Sequence, residues 1–102
     1  MSQIIDRASG AFQQWRRLGC GERVARLAPL AERLREHQEE AAELMCREMG
    51  KPLAQGRAEV LKCAHLVEWY TRHAAELLRD AEYPALPGFR RSFVSYQPLG
   101  AV

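Results

Sequence analysis

His65, Trp69 and His73 follow one another at i, i+4 and i+8, a spacing that sets two imidazoles on one face of a helix. Metal chemistry would need both on one ion with a carboxylate to complete the set. Eight helical residues span about 12 Å, too far for a shared ion, and no carboxylate completes the ligands. Cys63 and His65 could be a nucleophile and its base, but two residues apart on a helix they point about 200 degrees away from each other. Cys46 lies in an apolar stripe, where a thiol serves as a small buried hydrophobe. Gly19-Cys20-Gly21 has the glycines of a phosphate loop without the preceding strand or the rest of the glycine pattern, and reads as helix punctuation. Lys51, next to Gly50 at a helix junction, could meet an anion at a helix start; the plainer reading is an exposed lysine at a turn. Phe12, Trp15 and Trp69 stand at helical spacing, which favours packing over base stacking or cofactor contact. These residues therefore assign no catalytic, cofactor-binding or metal-binding position.

The elements that carry them are mostly helical. Ile4, Ile5, Ala8, Ala11, Phe12 and Trp15 recur at three- and four-residue steps and predict a first helix that stops near Gly19 and Gly21. Glu22 opens a second helix whose stripe is Val24, Leu27, Ala28, Ala31 and Leu34, with Pro29 forcing a kink or a late start. A third stripe, Ala41, Leu44, Met45 and Met49, runs to Gly50-Lys51-Pro52, a stop that also launches the next helix. From Leu53 to about Leu78 the pattern is longest, with Val60, Cys63, Ala64, Val67, Ala74, Leu77 and Leu78 on one face. Glu43 with Arg47 and Glu68 with Arg72 have the spacing of helical ion pairs. Two prolines and a glycine make 80–88 a loop, and Ser92–Gln97 is β-prone with no convincing second strand to pair with. The expected organisation is a helical segment over 1–80, a loop over 81–91 and a strand segment over 92–102. The fold class is mainly α, about four helices and then a C-terminal strand, forming an incomplete part of a layered α/β fold.

The 102 residues carry 15 basic and 13 acidic groups, a net charge of +2, and 47% hydrophobic residues. That composition is globular, with the charges interspersed, and gives no basic face for nucleic acid. Neither a signal sequence nor a bilayer-spanning run is visible, so a cytoplasmic protein is expected. Cys20, Cys46 and Cys63 are odd in number and widely spaced, which argues against a disulfide framework and for buried thiols. A complete dinucleotide-dependent oxidoreductase needs two domains of roughly 100 to 200 residues and does not fit this length.

The stretch Arg47-Glu48-Met49-Gly50-Lys51-Pro52-Leu53-Ala54-Gln55-Gly56-Arg57-Ala58-Glu59-Val60, followed by Lys62-Cys63-Ala64 and Glu68-Trp69-Tyr70, closely resembles the aldehyde dehydrogenase superfamily. It looks most like the succinate-semialdehyde dehydrogenase branch. Ala11-Phe12 through Trp15-Arg16 is similar to the family's early helix, Glu22-Arg23 to its next helix start, and Tyr96-Gln97-Pro98-Leu99-Gly100 to the approach to its nucleotide-binding sheet. Pro29, and Gly56 where the family commonly has alanine, depart from the pattern and bear on local helix geometry.

The resemblance implies an N-terminal segment of an oxidoreductase that uses NAD or NADP to convert an aldehyde to an acid through a thiohemiacetal and hydride transfer. It also implies that the nucleophilic cysteine, the general-base glutamate, the oxyanion asparagine and the cofactor-contacting residues follow Val102. The three cysteines here lie in no matching motif, so the segment is expected to be inactive by itself and to hold no cofactor. In the family such helices pack on the cofactor domain, and the strand near Ser92–Gln97 resembles part of the oligomerisation sheet. Expected partners are a second copy or a full-length homologue on which a stand-alone helical module docks. Neither nucleic acid nor a membrane is an expected partner.

Overall fold

A computed structural model describes residues 2–102. The chain is mainly α. Its elements are α1 (Ser2–Trp15), α2 (Cys20–Leu27), α3 (Leu30–Glu36), α4 (Gln38–Met49), α5 (Leu53–Leu77), β1 (Ala81–Tyr83) and β2 (Ser92–Val94). They group into two compact units. One is Val24–His73; the other combines the chain up to Arg23 with Ala74–Val102.

In the Val24–His73 unit, Pro29 decides where one helix becomes two. Having no N–H, it cannot continue the donor ladder of α2, but its fixed φ of −62° suits a helix start, and its carbonyl accepts the Arg33 N–H at 3.2 Å. In place of the expected kink or late start there is a full restart, and the expected second helix is two, α2 and α3. His37 alone separates α3 from α4. Its N–H bonds back to the Arg33 carbonyl and its own carbonyl accepts the Ala41 N–H at 3.0 Å, so the turn leaves neither group unpaired.

Gly50 ends α4 in the left-handed conformation, with φ 71° and ψ 20°, and donates its N–H to the Cys46 carbonyl at 3.0 Å. A side chain is strained there, which is why glycine occupies the position after α4. Pro52 then presents its carbonyl to the Gly56 N–H at 3.0 Å and starts α5. The stop-and-launch reading of Gly50-Lys51-Pro52 holds residue by residue.

The core of this unit is made of small residues: Ala31, Ala42, Gly56, Val60 and Ala64 are buried, with Ala42 and Ala64 fully inaccessible. Gly56, Val60 and Ala64 fall at i, i+4 and i+8 and form one line along α5. At Gly56 that line meets Ala42 of α4. A Cβ placed on Gly56 would stand 3.1 Å from both the Cα and the Cβ of Ala42. The departure from alanine at position 56 therefore has a structural reason: the two backbones approach closely there.

Polar groups fasten the same elements. Gln38 donates its Nε2 to the Arg57 carbonyl at 3.0 Å. The Arg57 guanidinium forks onto Glu39, Nε to Oε2 at 2.7 Å and Nη2 to Oε1 at 2.5 Å. Glu68 does not form the expected pair with Arg72; its carboxylate meets Arg35 Nη2 of α3 at 2.7 Å, while Arg72 Nε donates to the Glu68 carbonyl at 3.2 Å. A partner on another helix restrains the carboxylate more than the neighbouring turn does.

In the other unit, the expectation of a lone strand after a loop is wrong. β1 and β2 pair antiparallel, Ala81 with Val94, Glu82 with Phe93 and Tyr83 with Ser92. The prolines frame β1 and do not occupy it: Pro84 follows its last residue, and Leu86-Pro87-Gly88-Phe89 is a turn. Gly88 has φ 86° and the Phe89 N–H bonds to the Leu86 carbonyl at 3.0 Å, as in a type II turn with proline second and glycine third. The segment read as a loop over 81–91 thus contains a strand at 81–83. Gly100, with φ 106°, packs against the Phe12 ring, where an added Cβ would lie 3.3 Å from a ring carbon. Phe12 and Trp15 are half-buried, and none of the described residues of this unit is fully buried.

Two outcomes follow for stability. Gly56→Leu should force α4 from α5 and lower the stability measured by urea denaturation by about 2 kcal/mol or more, the scale of overpacking. An unchanged midpoint would show that the helices do not meet there. The second outcome concerns acid. Arg57 beside Glu39, through its hydrogen bonds, holds that carboxyl below the usual carboxylate value. A carboxylate with a lowered folded-state pKa stabilises above its unfolded value and loses that contribution as pH falls through the folded one. Glu39→Gln should therefore lower Tm slightly at neutral pH, and the difference should close on acidification through the carboxylate range. A difference that stays constant with pH would contradict the pairing.

Candidate functional site

The residues with chemical potential are dispersed. His73 stacks on Trp69, ring centroids 4.3 Å apart and planes at 18°, and its Nδ1 lies 2.7 Å from the Trp69 carbonyl. A carbonyl only accepts, so the proton sits on Nδ1. Tyr70 meets Trp69 edge-on at 5.1 Å. His65 is exposed, and among the described residues no group of three metal-ligating side chains gathers. Lys51 forms an ion pair with Glu59, which commits its charge to a carboxylate on α5.

The buried-thiol reading is corrected. Cys63 is exposed, and Cys20 and Cys46 are half-buried. The buried line of α5 runs through Gly56, Val60 and Ala64, and Cys63 is rotated about 100 degrees from Ala64, outside that line.

Gly19-Cys20-Gly21, expected where the first helix stops, instead starts the second: α1 ends at Trp15 and α2 begins at Cys20, two residues earlier than Glu22. The Gly19 carbonyl accepts the Arg23 N–H at 3.1 Å, and the Glu22 carboxylate reaches back to the Gly19 N–H at 2.9 Å. The carboxylate-to-backbone bond is the N3 half of a capping box; glycine has no side chain to supply the other half, and the Gly19 carbonyl makes only the first ordinary helical bond. The Glu22 bond takes up the Gly19 N–H.

What the unit holding α1 and the hairpin does offer is apolar surface. Ala8, Ala11, Phe12, Trp15, Gly100 and Ala101 line an open groove of about 400 Å³. Cys20, Arg23, Ala75, Leu78, Tyr96, Gln97 and Pro98 line a second of about 360 Å³. On the hairpin, Glu82 and Arg91 form an ion pair, and the Arg91 guanidinium lies 4.6 Å from the centre of the Phe93 ring. Tyr83, Leu86, Phe89, Phe93 and Tyr96 are exposed. β2 falls within the β-prone Ser92–Gln97 segment and ends at Val94; the strand without a sequence signal is β1, three residues long beside Pro84, and the Pro87-Gly88 pair is the one sign of the turn that joins it to β2. No nucleophile and base meet in these surfaces. Their chemistry is that of packing.

Compared with known proteins, residues 1–102 match the model of the aldehyde dehydrogenase family. The chain belongs to the aldehyde dehydrogenase family. This aldehyde dehydrogenase segment is 39% identical over 102 residues to the NAD(P)+ succinate semialdehyde dehydrogenase Sad of Escherichia coli K12, covering 100% of this chain and 22% of that relative. It is 35% identical over 101 residues to the glutarate-semialdehyde dehydrogenase of Pseudomonas putida, covering 96% and 20%. Its fold matches the crystal structure of the succinic semialdehyde dehydrogenase of Streptococcus pyogenes, solved with NADP+ as the cofactor. The TM-score there is 0.80 at 28% identity, over 90% of this chain and 20% of that one. The chain thus spans about a fifth of the length of the relatives it matches.

Exposure orders the three thiols of this aldehyde dehydrogenase segment. A thiol-reactive chromogen should label Cys63 first, and Cys63→Ser should remove the fast phase while leaving two slower ones. A fast phase that survives the substitution would place the exposed thiol elsewhere.

Proposed function

We propose that this chain is the N-terminal helical part, with the hairpin that follows it, of an NAD(P)+-dependent semialdehyde dehydrogenase, and that it acts as scaffold. The observation that carries the reading is the match of the whole chain to succinate- and glutarate-semialdehyde dehydrogenases at 35–39% identity over about a fifth of their length. Such an enzyme oxidises an aldehyde to a carboxylic acid, with the nicotinamide accepting hydride and a thiolate and a base supplied by the protein. The described residues do not fit the cofactor. A dinucleotide site needs a parallel strand running into a glycine turn at a helix start. Here the two strands are antiparallel and joined by a proline-glycine turn, and the grooves are lined largely by apolar carbon. Arg57, Arg35 and Lys51 of the Val24–His73 unit are committed to Glu39, Glu68 and Glu59.

A second reading, a helical module that associates with its own copies or with a full-length homologue, rests on the uncovered apolar side chains. Ile4 is 72% exposed, Phe89 68% and Leu99 92%. Covering a side chain of this size is worth about 1.5–3 kcal/mol, which favours a partner. Among the described residues no helix is long and apolar enough to cross a membrane. Both readings meet in one experiment, size-exclusion chromatography of the purified chain with every fraction assayed for NAD+ and NADP+ reduction by succinate semialdehyde. The expected result is an associated species without turnover. Turnover would overturn the scaffold reading, and a compact monomer at high concentration would overturn association.

A further inference from the structure

No further inference is drawn: the strongest candidate, the cleft of about 360 Å³ where Cys20 at the start of α2 stands with Arg23 and Tyr96, rests on a lone cysteine at a helix N-terminus and nothing in the structure points to a ligand for it.

Discussion

The crossing of α4 and α5 at Ala42 and Gly56 sets the geometry of the Val24–His73 unit. Two helices normally keep 8–10 Å between axes because their side chains hold them apart. Here one partner has only a methyl group and the other no side chain at all, so a Cβ on Gly56 would already be 3.1 Å from Ala42. Close approach brings Gln38 within reach of the Arg57 carbonyl and Arg57 within reach of Glu39. The fork and the amide bond lie at the same crossing, and along α5 the buried line continues through Val60 and Ala64 and leaves Cys63 exposed. A glycine inside a 25-residue helix costs about 1 kcal/mol in propensity. The contact it permits is the compensation.

A core of this kind is small. Ala31, Ala42, Val60 and Ala64 bury little apolar area, while the leucines, isoleucines and aromatics of the chain remain largely at the surface. Hydrophobic stabilisation scales with the apolar area removed from water, and alanine contributes little of it. Helices that expose their large side chains and bury their small ones are suited to form one layer of a larger fold, whose other layer covers the large ones. The fractional coverage of the dehydrogenase relatives and the TM-score of 0.80 agree with that physical picture.

Helix boundaries were legible where a single residue type has a single conformational consequence. Gly50 with Pro52, and Pro29, are such residues, and each acts in the structure as its stereochemistry dictates. The family was legible in the motif from Arg47 to Val60 read together with Pro98-Leu99-Gly100. Illegible were features set by tertiary contact. Periodicity puts Cys63 on the apolar face of α5, but the buried line runs through Gly56, Val60 and Ala64 and leaves Cys63 at solvent. The Glu68–Arg72 spacing was correct for a helical pair, yet Arg35 of another helix takes the carboxylate. β1 is hidden because three residues carry too little alternation to register as a strand, and its pairing depends on the turn at Leu86–Phe89 and on a partner at Ser92–Val94. For the candidate site, the sequence names the histidines, cysteines and aromatics but not which of them reach solvent; exposure is set by packing and is read only from the structure.

As an aldehyde dehydrogenase segment matching relatives over about a fifth of their length, residues 1–102 are proposed to be interchangeable with the corresponding part of a semialdehyde dehydrogenase. The direct test is a chimera of the Escherichia coli relative in which the matched 22% of its length is exchanged for this chain, assayed for NAD(P)+ reduction with succinate semialdehyde. A soluble chimera that retains turnover is the predicted result. A chimera that folds and assembles but has lost turnover, or that fails to fold where the parent does, would contradict it.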